Sequence, residues 1–95
     1  MSLTDRLAGV FPPVPTPFDD QGEIAPDKLA ANLRQLAATP LSGFIILGSN
    51  GEYPYLDESE KRTLFEAARA AIPTDRLFVA GTGAEATRQA LRLTL

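Results

Sequence analysis

Apolar and polar positions along the chain follow two rhythms, short apolar runs and longer stripes of helical spacing, and the two alternate. The first strand is expected at Gly9-Val10-Phe11, running on toward Val14 and Thr16. Pro12, Pro13, Pro15 and Pro17 lack ladder donors, so this strand should be short, ending near Pro12 or Val14. Phe18-Asp19-Asp20-Gln21-Gly22 follows as a turn in which Gly22 can take positive φ. Pro26 is a suitable first-turn residue for a helix, and Asp27 suits the positive end of its dipole. Leu29, Leu33, Leu36 and Ala37 make one apolar stripe, which Pro40 ends. Gly43-Phe44-Ile45-Ile46-Leu47-Gly48 reads as a strand buried on both sides.

Asp57 has the character of a helix N-cap, with Glu60 at capping-box spacing. Leu64, Ala68, Ala71 and Ile72 form the buried stripe of that helix, and Pro73 stops it. Arg76-Leu77-Phe78-Val79-Ala80 is the third strand, closed by Gly81-Thr82-Gly83. From Ala84 the pattern turns helical again and runs to Leu95 without a C-terminal cap signal.

Strands beginning near Gly9, Gly43 and Arg76 recur about every thirty-odd residues, the size of one βα unit. Such units build parallel sheets with helical crossovers. The fold class is therefore α/β. Eight units at this spacing would make a (β/α)8 TIM barrel of roughly 250 residues, of which residues 1–95 would supply roughly the first three βα units. A doubly wound open sheet is the alternative, and periodicity alone does not separate them. On the barrel reading, residues 1–95 are the N-terminal part of a single catalytic domain, incomplete at the C-terminus and belonging to a chain about three times longer.

Composition narrows the chemistry. The chain has 95 residues, 44% of them hydrophobic and 22% charged, which are ordinary globular values. No apolar stretch approaches the roughly 20 residues that cross a bilayer, and the start lacks the pattern of a secretory signal. A cytoplasmic protein without a membrane partner is the expectation. Cys and His are both absent, which removes thiolate nucleophiles, imidazole bases and the commonest zinc ligands. A net charge of −3, with basic residues scattered singly, speaks against nucleic acid. No metal or cofactor is expected. Hydroxyls, amides, carboxylates, tyrosines, two lysines and backbone groups remain.

Gly48-Ser49-Asn50-Gly51-Glu52 lies at the C-terminal end of the clearest strand, where ligands bind in both parallel architectures. Its glycines would let backbone approach a ligand and adopt unusual φ values. Ser49 and Asn50 could then present side-chain and backbone donors together to a small carboxylate. The plain alternative is a turn in which Asn50-Gly51 supplies positive φ. A phosphate-cradling loop is disfavoured, because neither the Walker nor the Rossmann glycine pattern is present and Glu52 would repel phosphate.

Gly9-Val10 followed by Thr16-Pro17-Phe18, then Gly48-Ser49-Asn50-Gly51-Glu52 and Ala80-Gly81-Thr82-Gly83, closely resembles the dihydrodipicolinate synthase / N-acetylneuraminate lyase family. Each motif is weak alone; the ordered set spans nearly the whole chain. The resemblance implies a (β/α)8 barrel and a class I pyruvate aldolase or synthase that works through a Schiff base. It also implies a small 2-keto acid substrate and a homo-oligomer, dimer or tetramer, at full length. Ser-Asn followed by Tyr53-Pro54-Tyr55-Leu56 looks most like the 4-hydroxy-2-oxoglutarate aldolase branch. Synthases more often carry two threonines there, and sialic-acid lyases Ser-Thr.

Carried over by matching position, Ser49 is the hydroxyl residue that touches the keto-acid carboxylate and takes part in proton transfer. Asn50 fills the neighbouring carboxylate-binding place, normally Thr, and keeps its backbone N–H. Gly48 and Gly51 shape the loop, Glu52 braces it rather than acting as an acid, and Thr82 shapes the floor of the site. Tyr53 and Tyr55 are packing or subunit-contact residues. The family's Schiff-base lysine and catalytic tyrosine belong to its sixth and fifth strands, beyond this sequence. Lys28 and Lys61 fall on expected helix surfaces, where a lysine is solvated and unsuited to imine formation. The 95 residues alone are thus expected to be inactive. Two other readings stand beside the enzyme: a non-catalytic small-anion-binding α/β module and an inactive barrel fragment. The second substrate and the reaction direction are not encoded here.

Overall fold

The computed structural model describes residues 2–84 and 86–95. It contains three parallel strands in the order β1-β2-β3: β1 at Pro13–Val14, β2 at Gly43–Ile46 and β3 at Leu77–Ala80. Four helices accompany them: α1 at Leu3–Arg6, α2 at Pro26–Ala37, α3 at Glu58–Ala71 and α4 at Thr87–Thr94. Two 3-10 turns, Ser49–Gly51 and Tyr53–Tyr55, connect β2 to α3.

The first strand is short and ends at Val14, as the prolines suggest, but it starts later than the sequence rhythm suggests. Gly9-Val10-Phe11 runs beside the sheet outside the paired strands, tied to it where Ser42 N–H donates to Val10 O (3.1 Å), and Val10 is exposed. Pairing instead uses the proline segment, with Pro13 opposite Ile45 and Val14 opposite Ile46. This works because an edge of the ladder can be held through carbonyls: Ile45 N–H donates to Pro12 O at 3.0 Å. Pro13 and Pro15 then point outward while Val14 and Thr16 point into the core, so the missing donors cost little.

The Phe18–Gly22 turn forms as its composition suggests. Asp19 Oδ1 accepts from the N–H groups of Gln21 and Glu23, and Gly22 takes φ 80°. An isolated antiparallel bridge, Phe18 to Ile24, closes it. Pro26 starts α2, whose buried residues are Leu29 and Leu33. The Asp57–Glu60 capping box of α3 is complete, with bonds of 2.8 and 2.9 Å. The N-terminal helix α1 was not anticipated. Ser2 and Asp5 cap it reciprocally, but none of its residues is buried, so no apolar stripe announces it. The last helix starts at Thr87 rather than at Ala84; Glu85 lies outside the described residues.

α2 and α3 pack against each other on one face of the sheet, as successive crossovers of one hand require. Val14, Phe44 and Ile46 meet Leu29, Leu33, Leu64, Ala68 and Ile72 there in one continuous core. The other face presents Pro13, Ile45 and Val79 in register. Ile45 is only half-buried and Val79 is exposed, so the full burial expected on both faces of β2 is met on the helix side alone. One sheet and one helical layer give a slab 19 Å in its shortest dimension.

Candidate functional site

β2 ends at Ile46 because Leu47 turns the chain with φ 61°. Gly48 is extended, and Ser49–Gly51 then coil into a 3-10 turn held by Gly51 N–H to Gly48 O (2.9 Å) and Glu52 N–H to Ser49 O (3.1 Å). Glu52 takes φ 61° and starts the second turn, which Leu56 anchors in the core. The left-handed positions are therefore Leu47 and Glu52, not the glycines to which the sequence reading gave them. For a residue with a Cβ each such position costs on the order of 1–2 kcal/mol and persists only where surroundings enforce it.

Those surroundings can be named. Thr16 is 6% exposed, and its hydroxyl donates to Gly51 O at 2.6 Å. Gly81 lies against the start of the turn, so closely that a Cβ there would sit 2.2 Å from Leu47 O. Only glycine permits that approach, and Gly81 N–H donates to Ile46 O (2.8 Å) in the same contact. Thr16 and Gly81 thus grip the loop from the neighbouring strands on either side. Sequence reasoning assigned the brace to Glu52. Its carboxylate is exposed and accepts no hydrogen bond among the described residues, so its part in shaping the loop is its backbone conformation. The Thr82 hydroxyl bonds that of Thr94 at 2.9 Å, tying the Gly81-Thr82-Gly83 turn to α4, while Gly81 makes the contact with the loop.

Ser49 and Asn50 stand exposed at the tip of this gripped turn. A 3-10 turn leaves the N–H groups of its first residues without intraturn acceptors. Among the described residues neither the Ser49 nor the Asn50 N–H has a protein partner. Two backbone donors, a hydroxyl and a carboxamide are thus carried by two adjacent exposed residues.

Lys61 departs from expectation. It is 6% exposed, not a solvated surface residue, and its ammonium lies 5.6 Å from the centre of the Tyr53 ring. Tyr53, Pro54, Leu56, Lys61, Ala84 and Gln89 line a cavity of about 220 Å³. Neither Ser49 nor Asn50 lines it, so the structure does not bring this lysine together with the loop tip. Lys28 is exposed, as expected. Tyr53 is half-buried, and a Cβ on Gly83 would lie 3.2 Å from its ring, so it packs between the loops after β2 and β3. Tyr55 is 82% exposed. The described residues contain no cluster of His, Cys, Asp or Glu able to hold a metal ion, and no helix long and apolar enough to cross a membrane.

Sequential parallel βα units of this kind have the fold of an N-terminal segment of a (β/α)8 barrel. The chain belongs to the dihydrodipicolinate synthetase family, whose model matches residues 6–95. It is 33% identical over 94 residues to an uncharacterized DapA-like lyase of Rhizobium meliloti, covering 99% of this chain and 31% of the relative. It is 37% identical over 79 residues to a 4-hydroxy-tetrahydrodipicolinate synthase of a Synechococcus strain, covering 83% of this chain and 26% of the relative. The dihydrodipicolinate synthase structure from Aquifex aeolicus superimposes with a TM-score of 0.81 at 30% identity, covering 90% of this chain and 29% of that one. The chain thus spans about three-tenths of the length of these relatives.

Proposed function

We propose that residues 1–95 form the first three βα units of a single-domain barrel enzyme that makes or breaks a carbon–carbon bond on pyruvate or a related 2-keto acid through a Schiff base. The observation that carries this reading is the pair of N–H groups at Ser49 and Asn50 without a partner among the described residues, beside their side chains, on a turn at the carboxyl end of β2. A keto-acid carboxylate would accept from these donors, and the Ser49 hydroxyl would relay a proton near the reacting carbonyl. Family membership supports the reaction class, and the relatives that carry functional names are synthases and lyases. The imine-forming lysine and the catalytic tyrosine would come from later strands; Lys28 is solvated and Lys61 faces a separate cavity. Ser-Asn followed by Tyr53-Pro54-Tyr55 favours a 4-hydroxy-2-oxoglutarate aldolase-like enzyme over a dihydrodipicolinate synthase-like one. We infer a homo-oligomer, dimer or tetramer, in which the exposed Tyr55 ring is available for a subunit contact.

Steady-state kinetics of the full-length protein test the site. Ser49→Ala should lower turnover by about 10²–10³, the range for a positioned proton-transfer or electrostatic group. Asn50→Ala should chiefly raise KM for the keto acid, because its backbone N–H survives. Wild-type constants in both variants would return the loop to an ordinary connecting turn.

A further inference from the structure

We propose that Thr16 is a positioning residue for the keto-acid site: its hydroxyl, by holding Gly51 O, sets the direction in which the Ser49 and Asn50 donors face. This inference rests on the carboxylate-binding reading of the turn. Thr16 lies 35 residues from Gly51 in sequence and on a different βα unit, yet their hydrogen bond is a short 2.6 Å in a buried setting. Among the described residues it is the one side-chain hydrogen bond made to Ser49, Asn50 or Gly51.

The donor itself is firmly held. Two residues before it, Val14 is paired with Ile46 in the ladder. Immediately after it comes Pro17, whose ring restricts the chain and whose carbonyl accepts from Ala25 N–H (3.0 Å) at the head of α2. Thr16 is therefore a fixed point and the turn is what it fixes. Gly51 also packs beside it, since a Cβ there would lie 3.4 Å from Thr16 Oγ1 and 3.5 Å from Val14 O. The turn is bounded by left-handed Leu47 and Glu52, conformations that relax readily when a restraint is lost. Removing the hydroxyl leaves the Gly51 carbonyl buried without its donor and lets the turn rotate toward another partner. Ser49 and Asn50, the two residues before Gly51, rotate with it.

The test uses the full-length protein carrying Thr16→Val, which keeps the shape and deletes the donor, and Thr16→Ser, which keeps the donor. Four quantities are read: kcat, KM for the keto acid, the denaturation midpoint, and the yield of borohydride-trapped imine at saturating pyruvate. Thr16→Val should lower kcat/KM roughly thirtyfold, the scale for leaving one buried acceptor unpaired at a site that must be aligned. The loss should be shared between a lower kcat and a higher KM. Imine trapping should persist, because the lysine is untouched. Thr16→Ser should restore kcat and KM to within about threefold of wild type. Wild-type kinetics in Thr16→Val, whatever its denaturation midpoint, would overturn the proposal and leave Thr16 a purely structural residue. Absence of trapping in the wild-type protein would overturn the keto-acid reading and this inference with it. If Thr16→Val does not fold, Thr16→Cys replaces it, its thiol being a weak donor. A deficit of about fivefold or more against Thr16→Ser then sustains the proposal, and a smaller one overturns it.

Discussion

Lys61 carries an ammonium group to the end of a helix face otherwise made of Leu64, Ala68 and Ile72. Its four-carbon stem is the reason it can stand there: the stem packs as a hydrophobe while the charged end reaches the Tyr53 ring and the adjoining cavity. The signal was present in the sequence, since Lys61 precedes Leu64 by three and Ala68 by seven residues and so shares their face. Residue type overrode spacing in the reading. Lys61→Ala in the full-length protein should cost about 1–2 kcal/mol, chiefly through lost stem packing. Urea denaturation would measure it. A change within about 0.5 kcal/mol, usual for surface substitutions, would restore the solvated-lysine picture.

The elements differ in how plainly the sequence announces them, and the difference is physical. β2 and α3 depend on signals a few residues long, an apolar run in one case and the Asp57–Glu60 box with its stripe in the other; α3 forms where expected, and β2 starts where expected but ends two residues early, at Ile46. β1 is short and ends at Val14, as its prolines indicate, but its start depends on which carbonyls a neighbouring strand can use: Pro12 O serves the ladder although no proline could donate to it. The loop's composition identified the place but not its geometry. Leu47 and Glu52 are left-handed because Thr16 and Gly81 grip the turn across 35 and 34 residues of sequence, separations that no local pattern records. Arg76 likewise reaches from the start of β3 to donate to Ala37 O and Thr39 O at the end of α2, closing a helix terminus from 39 and 37 residues away.

The docking of α4 supplies a prediction at the same scale. Arg92 donates to both carboxylate oxygens of Glu58, and this hydrogen bonding lowers the Glu58 pKa below its ordinary 4.5, aided by the charges of Arg92, Arg62 and Lys61. A depressed carboxylate pKa contributes stability that is present above the ordinary value and lost as pH falls through the lowered one. The stability difference between the wild-type protein and Glu58→Gln should therefore persist near neutral pH and shrink as pH falls below the ordinary 4.5 and through the lowered pKa. Denaturation midpoints across that range check it, and a difference independent of pH would contradict the pairing.

The whole molecule is a slab with one finished face. α2 and α3 cover one side of the sheet, while Pro13, Ile45 and Val79 line the other in register, with no helix packed over them among the described residues. Beyond β3, Phe65, Phe78, Ala80 and Leu93 line an open groove of about 600 Å³, with the Arg69 guanidinium over the Phe78 ring. A barrel of eight such units turns the uncovered face into a packed interior and seats the next unit against the groove. In the proposed barrel the Ser49–Asn50 turn would open onto the mouth where the βα loops converge, and the lysine would come from a later strand. Borohydride reduction of the full-length protein in the presence of pyruvate, followed by peptide mass mapping, tests this most directly. A reduced pyruvate adduct is expected on one lysine outside residues 1–95, formed more slowly in Ser49→Ala. No adduct, or an adduct on Lys28 or Lys61, would contradict it.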